Sequence, residues 1–384
     1  LQAASPRRER KCRLASQVAI YTPGFVLRRA HCNRRTTSMP KAPQPKTLEA
    51  QPIALAWQPE SRRHFAVGCV DGRVEIHGTK QAQPLARMYH GDRGAASAVA
   101  WSDGLCAGYG DGAVCCWDTE GGAKAWKAKG RGAKVTAMLS TRNMIAVGDD
   151  GGRITLRDAR LSGDRSPSIS AQPHADYVSG LCAIRDEILV SAGADGVLAA
   201  MDLRKGLKSI GETDPFEDEL LSCCVTPHSV VAGTATGPLL VWSRKDLDKE
   251  PAVIASEHDS VEALVAVQDV VLTGTGDGVV RAYEEGEDAS LTAIGGVGAH
   301  GGRVCRLAGP AGGGACAIPQ GNRQADRTLG RQYQPSLGQV RGRPAVRKGG
   351  CDLPRPEGAA SHHHQRRARR DRPGGAWLGR HDLP

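Results

Sequence analysis

The chain has 384 residues, with 48 glycines, 4% aromatics and 40% apolar residues overall. That apolar share can build a core and excludes whole-chain disorder. No run of ~18 uncharged apolar residues occurs, which excludes a spanning helix. High glycine with few aromatics argues against a helical bundle and suits many short strands joined by tight turns.

The formal charge of +10 changes meaning once it is divided. Residues 1–49 hold 11 Lys+Arg against 2 Asp+Glu, and residues 309–384 hold 14 against 5. Residues 50–308 hold 26 against 34. The body is therefore mildly acidic, and a nucleic-acid argument from basicity applies only to the two ends.

In chain order, residues 1–45 form a basic leader. Its first 38 residues carry a single acid, Glu9, and Met39 opens the polar stretch before the repeats. The leader reads as disordered or as upstream sequence that is not native, and its composition also fits a transit peptide. From residue 46 to 308 one unit recurs: a small apolar strand, a turn ending in glycine, and a second apolar strand. The turn pairs are Asp71-Gly72, Asp111-Gly112, Gly151-Gly152, Asp195-Gly196, Thr236-Gly237 and Asp277-Gly278, at steps of 40, 40, 44, 41 and 41 residues. Four short strands at that period predict an all-β propeller whose blades share a core, since one blade cannot bury both faces alone. Each turn needs a positive φ, supplied by glycine, and an aspartate can bond the backbone around it.

These repeats resemble WD40 units. With the four strands of a unit lettered a to d in chain order, strand c closes with Trp117-Asp118, Arg157-Asp158, Met201-Asp202 or Trp242-Ser243, and His90, His174, His258 and His300 stand where a histidine precedes strand a. The stretches Gly148–Arg160, His174–Leu181 and Gly274–Tyr283, with Gly295–His300, are similar to the family of WD repeat-containing protein 55 and its fungal counterparts. The resemblance implies seven blades. Six are legible, and a seventh begins at 301–308 with strand a only. Residues 309–384 are rich in Arg, Gly and Pro without alternation and read as a frame error or a disordered basic tail. Blades one and six are then expected to keep exposed edges in an open ring.

The chemistry-bearing residues follow the repeat, which makes them structural. The resemblance implies that each histidine bonds a turn aspartate, with His174 meeting Asp195 and His258 meeting Asp277. Asp71 and Asp111 are the remaining turn aspartates. The glycine runs at 108–112 and 274–278 lack the G-x-G-x-x-G spacing and precede no helix, so hairpin tips explain them. The 12 cysteines include no C-x-x-C pair and sit largely in apolar runs, which predicts reduced, buried thiols. His362–His364 is a run in the tail with weak metal potential. No catalytic residue, metal site or cofactor is expected. Asp158-Ala159-Arg160 and Asp202-Leu203-Arg204 end blades three and four with Asp-x-Arg. This resembles the box by which WD40 proteins dock a cullin-type ubiquitin-ligase adaptor, while an ordinary exposed turn ion pair is the plainer reading.

The sequence thus predicts a non-catalytic interaction scaffold. The family resemblance implies a nuclear and nucleolar place, also cytoplasmic, in ribosomal RNA processing and ribosome biogenesis. Its partners would be pre-ribosomal or nucleolar proteins, with RNA contacted indirectly or through the basic ends, and no membrane. The alternative is a substrate receptor of a cullin-type ubiquitin ligase; an enzyme housed in the propeller is a weaker third.

Overall fold

A computed structural model describes residues 16–21, 44–309 and 315–319, apart from gaps at 60, 62, 90, 92–93, 120–123, 131, 142–143, 161–167, 256–258 and 300–301. The first two strands in the chain, β1 (Ser16–Tyr21) and β2 (Gln44–Leu48), belong to the last sheet. Blade one comprises β3 (Pro52–Trp57), β4 (His64–Cys69), β5 (Arg73–Gly78) and β6 (Pro84–Tyr89). Blade two follows with β7 (Ala96–Trp101), β8 (Leu105–Tyr109), β9 (Val114–Trp117) and β10 (Lys124–Ala128). Blade three holds β11 (Val135–Thr141), β12 (Met144–Asp149), β13 (Ile154–Asp158) and β14 (Ile169–Ala171). Blade four holds β15 (Val178–Ile184), β16 (Ile188–Gly193), β17 (Leu198–Asp202) and β18 (Lys208–Glu212). Blade five holds β19 (Leu220–Val225), β20 (Ser229–Thr234), β21 (Leu239–Ser243) and β22 (Ala252–Ile254). Blade six holds β23 (Val261–Val267), β24 (Val270–Thr275), β25 (Val279–Glu285) and β26 (Leu291–Ala299).

All six predicted turns form, and their glycines have φ of +82, +79, +77, +78, +111 and +81° at 72, 112, 152, 196, 237 and 278. Only glycine occupies that left-handed region without strain. The polypeptide therefore reverses where the repeat said it would, and each strand pair runs antiparallel.

The seventh sheet differs from the sequence expectation. Its order is β2-β1-β28-β27, where β27 is Val304–Ala308 and β28 is Ala315–Pro319. The inner strand β27 lies where the pattern put it, and β28 and β1 fill the two places the pattern left empty. Ala19 pairs with Ala317 between them, and Val18 pairs with Lys46 of β2. Both strands are short apolar runs, Ser-Gln-Val-Ala-Ile-Tyr and Ala-Cys-Ala-Ile-Pro, whose signal is averaged away by the basic or glycine-rich residues around them. The remainder of the leader and tail, including His362–His364, lies outside the described residues.

The core is divided among the blade interfaces. Seven buried apolar clusters each straddle two neighbouring blades, and one of them joins Leu48 and Ala308 of blade seven to Trp57, Phe65 and Val67 of blade one. Inner strands touch in sequence round the ring, and β27 touches β3, so the ring closes. Strands such as β8, Leu-Cys-Ala-Gly-Tyr, are apolar throughout because both faces are covered. The same alternation sends Cys115 toward blade one and Cys116 toward blade three. Adjacent cysteines therefore cannot pair with each other. Cys116 instead lies opposite Cys106 on β8 with Cα atoms 4.0 Å apart, and the two form a disulfide. This corrects the expectation of reduced thiols at those two positions. Cys69, Cys115, Cys182, Cys223 and Cys224 are buried and outside any disulfide, as expected.

Polar groups also cross the seams. Buried Lys46 of β2 donates to Gly78 O at 3.2 Å and Gln81 O at 2.8 Å, with its ammonium 5.7 Å from the Phe65 ring. Trp126 Nε1 donates to Ala159 O at 2.8 Å. Buried Glu285 of blade six accepts the Thr226 and Ser229 hydroxyls and the His228 N–H of blade five, the last at 3.2 Å. Two outcomes test this architecture. Gly112→Val should cost on the order of 1–3 kcal/mol of stability, read by thermal melting, because a β-branched residue is strained at φ +79°. A chain lacking residues 1–43 loses β1 and should melt lower and aggregate, since β28 and β2 lose the strand between them. An unchanged melt would show that β1 contributes nothing to closure.

Candidate functional site

Antiparallel order puts the b–c turns and d–a loops of every blade on one face, and the a–b and c–d turns on the other. The histidine network lies on the first face. His174, in the loop before β15, is 2% exposed. Its Nδ1 lies 3.2 Å from Asp195 Oδ1 and its Nε2 2.8 Å from Ser191 Oγ, and Ser191 Oγ lies 3.4 Å from Ala199 O of strand c. Asp195 also accepts the N–H of Ala175 at 2.8 Å and of Val197 at 3.2 Å. One carboxylate thus ties the d–a loop to the b–c turn. Gly193 makes room, since a Cβ there would sit 2.3 Å from His174 Nδ1. The pairing read for His174 is present, and Ser191, which completes it, was missed because serines within a strand carry no periodic signal.

The other histidines, His90, His258 and His300, lie outside the described residues. Their turn aspartates are engaged locally. Asp71 accepts Arg73 Nε at 2.6 Å, and Asp111 accepts the Ala113 N–H at 3.0 Å. Asp277 accepts Arg281 Nη2 at 2.5 Å and the Val279 N–H at 3.1 Å. Burial raises the Asp277 pKa, but the Arg281, Thr275 and Val279 bonds outweigh it and hold the carboxyl down at about 2. In blade five the roles reverse. Thr236 replaces the turn aspartate, and Asp218 of the d–a loop accepts its N–H at 2.8 Å and its hydroxyl at 2.6 Å. The departure of Thr236-Gly237 from the repeat was the available signal.

On the opposite face stand the two Asp-x-Arg turns. Arg160 Nη2 and Nε bond Asp158 at 2.7 and 3.0 Å, which holds the Asp158 carboxyl below its usual value. Arg204 lies 3.7 Å from Asp202 and 3.4 Å from Glu187. Both arginines are exposed, at 58% and 63%. Each guanidinium has an acidic neighbour within its own turn or blade, the geometry of an exposed ion pair.

Along the axis, each inner strand carries a β-bulge near its start, for example between Ala96 and Ala98 and between Val304 and Arg306. Side chains from all seven strands line a channel of about 190 Å3. Ser97 Oγ donates to Val135 O at 2.5 Å and Thr136 Oγ1 to Val178 O at 2.6 Å, each clipping one blade to the next. Among the described residues no group of three His, Cys, Asp or Glu could hold a metal, and no helix is long and apolar enough to cross a membrane.

No family model matches the chain. It is 33% identical over 156 residues to WD repeat-containing protein JIP5 of Cryptococcus neoformans var. neoformans serotype D, covering 37% of this chain and 39% of that protein. It is 27% identical over 258 residues to WD repeat-containing protein 55 of Homo sapiens, covering 64% and 66%. The Bos taurus protein of that name is 26% identical over 252 residues, covering 62% and 65%. The matches therefore span less than two thirds of these relatives. Among solved structures, a chain of the mitotic checkpoint complex superposes with a TM-score of 0.62 at 19% identity, covering 71% of this chain and 93% of that one. The WD40 repeats of RRP9 superpose with a TM-score of 0.61 at 15% identity, covering 71% and 95%. The fold is a WD40 propeller, and the sequence resembles WD repeat-containing protein 55 and JIP5 at modest identity.

The His174 network predicts a pH dependence. Burial lowers the His174 pKa below 6.5, although Asp195 opposes that shift. The unfolded chain therefore binds the proton more readily, and the network's stability is complete above about pH 6.5 and lost as pH falls toward the folded value. The melting temperature should drop between pH 7 and 5, and His174→Gln should flatten that slope. Asp195→Ala should cost about 1–3 kcal/mol by leaving the buried imidazole short of a partner.

Proposed function

We propose that the protein is a non-catalytic WD40 scaffold acting in nucleolar ribosomal RNA processing and ribosome biogenesis. The observation that carries the scaffold reading is the closed ring itself, a fixed disk with loops displayed on two faces. The polar groups that repeat from blade to blade, such as Asp195 with His174 and Asp218 with Thr236, are spent on holding loops to turns. The process and the nuclear or nucleolar place rest on the resemblance to WD repeat-containing protein 55 and JIP5. RNA would be met through partners or through the basic ends, where 25 of the 51 Lys and Arg residues lie.

A second reading, a substrate receptor for a cullin-type ubiquitin ligase, draws on Arg160 and Arg204. They project from equivalent c–d turns of adjacent blades on one face. A partner carboxylate would have to compete with Asp158, whose two oxygens already take the Arg160 guanidinium. Affinity purification of the tagged chain separates the readings. Recovery of pre-ribosomal particles supports the first. Recovery of the ligase adaptor, lost in the Arg160→Ala/Arg204→Ala double variant with melting unchanged, supports the second. Recovery of neither overturns both.

A further inference from the structure

Two of the buried thiols meet across a blade seam. Cys182 lies on β15, the inner strand of blade four, and Cys223 on β19, the inner strand of blade five. Both belong to the apolar cluster between those blades, together with Val190, Leu220 and Ala232. The Cys182 thiol donates to Cys223 Sγ, and the sulfurs are 3.5 Å apart. A disulfide needs about 2.05 Å, so closure asks about 1.5 Å of travel shared between two side chains. The adjacent Cys224 is turned away by the alternation of the strand, into the cluster that faces blade six.

The two sulfurs differ in access. Cys223 lines the axial channel of about 190 Å3 beside Gly180 and Ser222, whereas Cys182 is not part of that wall. A Cβ at Gly180 would sit 3.1 Å from Cys223 Sγ and 2.9 Å from its backbone N. Bare backbone at 180 therefore leaves the sulfur open toward the channel. A space of that volume admits a peroxide molecule, which is little larger than water. The bond to Cys223, together with burial, pushes the Cys182 thiol up, so Cys182 keeps its proton. Cys223 is thus the sulfur that meets an oxidant first, with Cys182 behind it in position to resolve the product.

We propose that Cys223 and Cys182 form a peroxide-sensitive thiol pair whose oxidation joins blade four to blade five. The Cys223 thiolate attacks one oxygen of hydrogen peroxide, the O–O bond breaks, and the hydroxide released is protonated to water. Cys223 is left as the sulfenic acid. The Cys182 sulfur then attacks the Cys223 sulfur and the S–S bond forms. The Cys182 proton leaves with the displaced hydroxyl as a second water. Two electrons pass from the thiols to the peroxide. The product ties residues 41 apart in the chain across the seam. This chemistry is independent of what the disk binds.

Peptide mapping of the full chain tests the pair. The protein is reduced with tris(2-carboxyethyl)phosphine, freed of it, treated with hydrogen peroxide near neutral pH, alkylated and digested with trypsin without reductant. Mass spectrometry should find peptide 166–185, which holds Cys182, joined to peptide 209–244, which holds Cys223 and Cys224. The joined mass should be two hydrogens below the sum, and dithiothreitol should separate the two. In Cys182→Ala the link should be absent and Cys223 should be trapped as its dimedone adduct. In Cys223→Ala, Cys182 should stay reduced, while Cys224→Ala should link as the wild type does. The linked wild type should melt a few degrees higher, because the bond restrains the unfolded chain. No link in the folded wild type, a link that persists in Cys223→Ala, a link lost in a folded Cys224→Ala protein, or a linked form that melts lower would each overturn the proposal. Should an alanine variant melt early, the serine variant takes its place, and absence of the link in the wild type is fatal in any case.

Discussion

At five of the blade seams, the close approach of one blade's second strand to the first residue of the next blade sets the geometry from which the ring follows. At Gly68 a Cβ would lie 2.4 Å from Ala96 O, and at Gly108 it would lie 2.4 Å from Val135. The same holds at Gly148 against Val178, Gly233 against Val261 and Gly274 against Val304, at 2.5–2.7 Å. Bare backbone at these points lets a valine or alanine of the neighbour seat in the sheet face. A side chain there would push the blades apart along the inner seam, where no void can absorb the shift. Five of the 48 glycines meet this requirement, and in blade four Ala192 takes the equivalent place.

Once the blades are that close, polar groups caught between them must be satisfied where they stand. The Ser97 and Thr136 hydroxyls find the first carbonyl of the next blade. Glu285 finds hydroxyls and an N–H in the preceding blade. His174 finds Asp195 and Ser191 within its own blade. Loops are thereby fixed to the strands they connect, which supplies the two ordered faces that a binding scaffold needs. Arg306 departs from the repeat. It occupies a position that alanine or glycine fills in most other blades, and its guanidinium donates to Cys305 O of its own strand.

Departures from the repeat are therefore more informative than the repeat. Thr236 in place of a turn aspartate is answered by Asp218. Cys106 and Cys116, opposite each other in a four-stranded sheet, become a disulfide because register and not adjacency decides which thiols meet. The Asp-x-Arg turns, by contrast, form ordinary exposed ion pairs within their own turns.

The residues themselves determined the strand-turn-strand period, the glycine at each tip and the apolar character of both strand faces, because those depend on backbone conformation and on burial shared by every blade. The His174–Asp195 pair was implied by the family resemblance, since spacing alone does not say which groups bond. The seventh sheet was beyond reach. β1 and β28 are separated by nearly the whole chain, each is five or six residues long, and each is embedded in basic or glycine-rich sequence. Only ring closure brings them edge to edge, because the gap between β27 and β2 must be filled by strands with no local reason to form. The channel belongs to the same class: each inner strand contributes two or three residues, and what they enclose exists only when all seven stand around one axis.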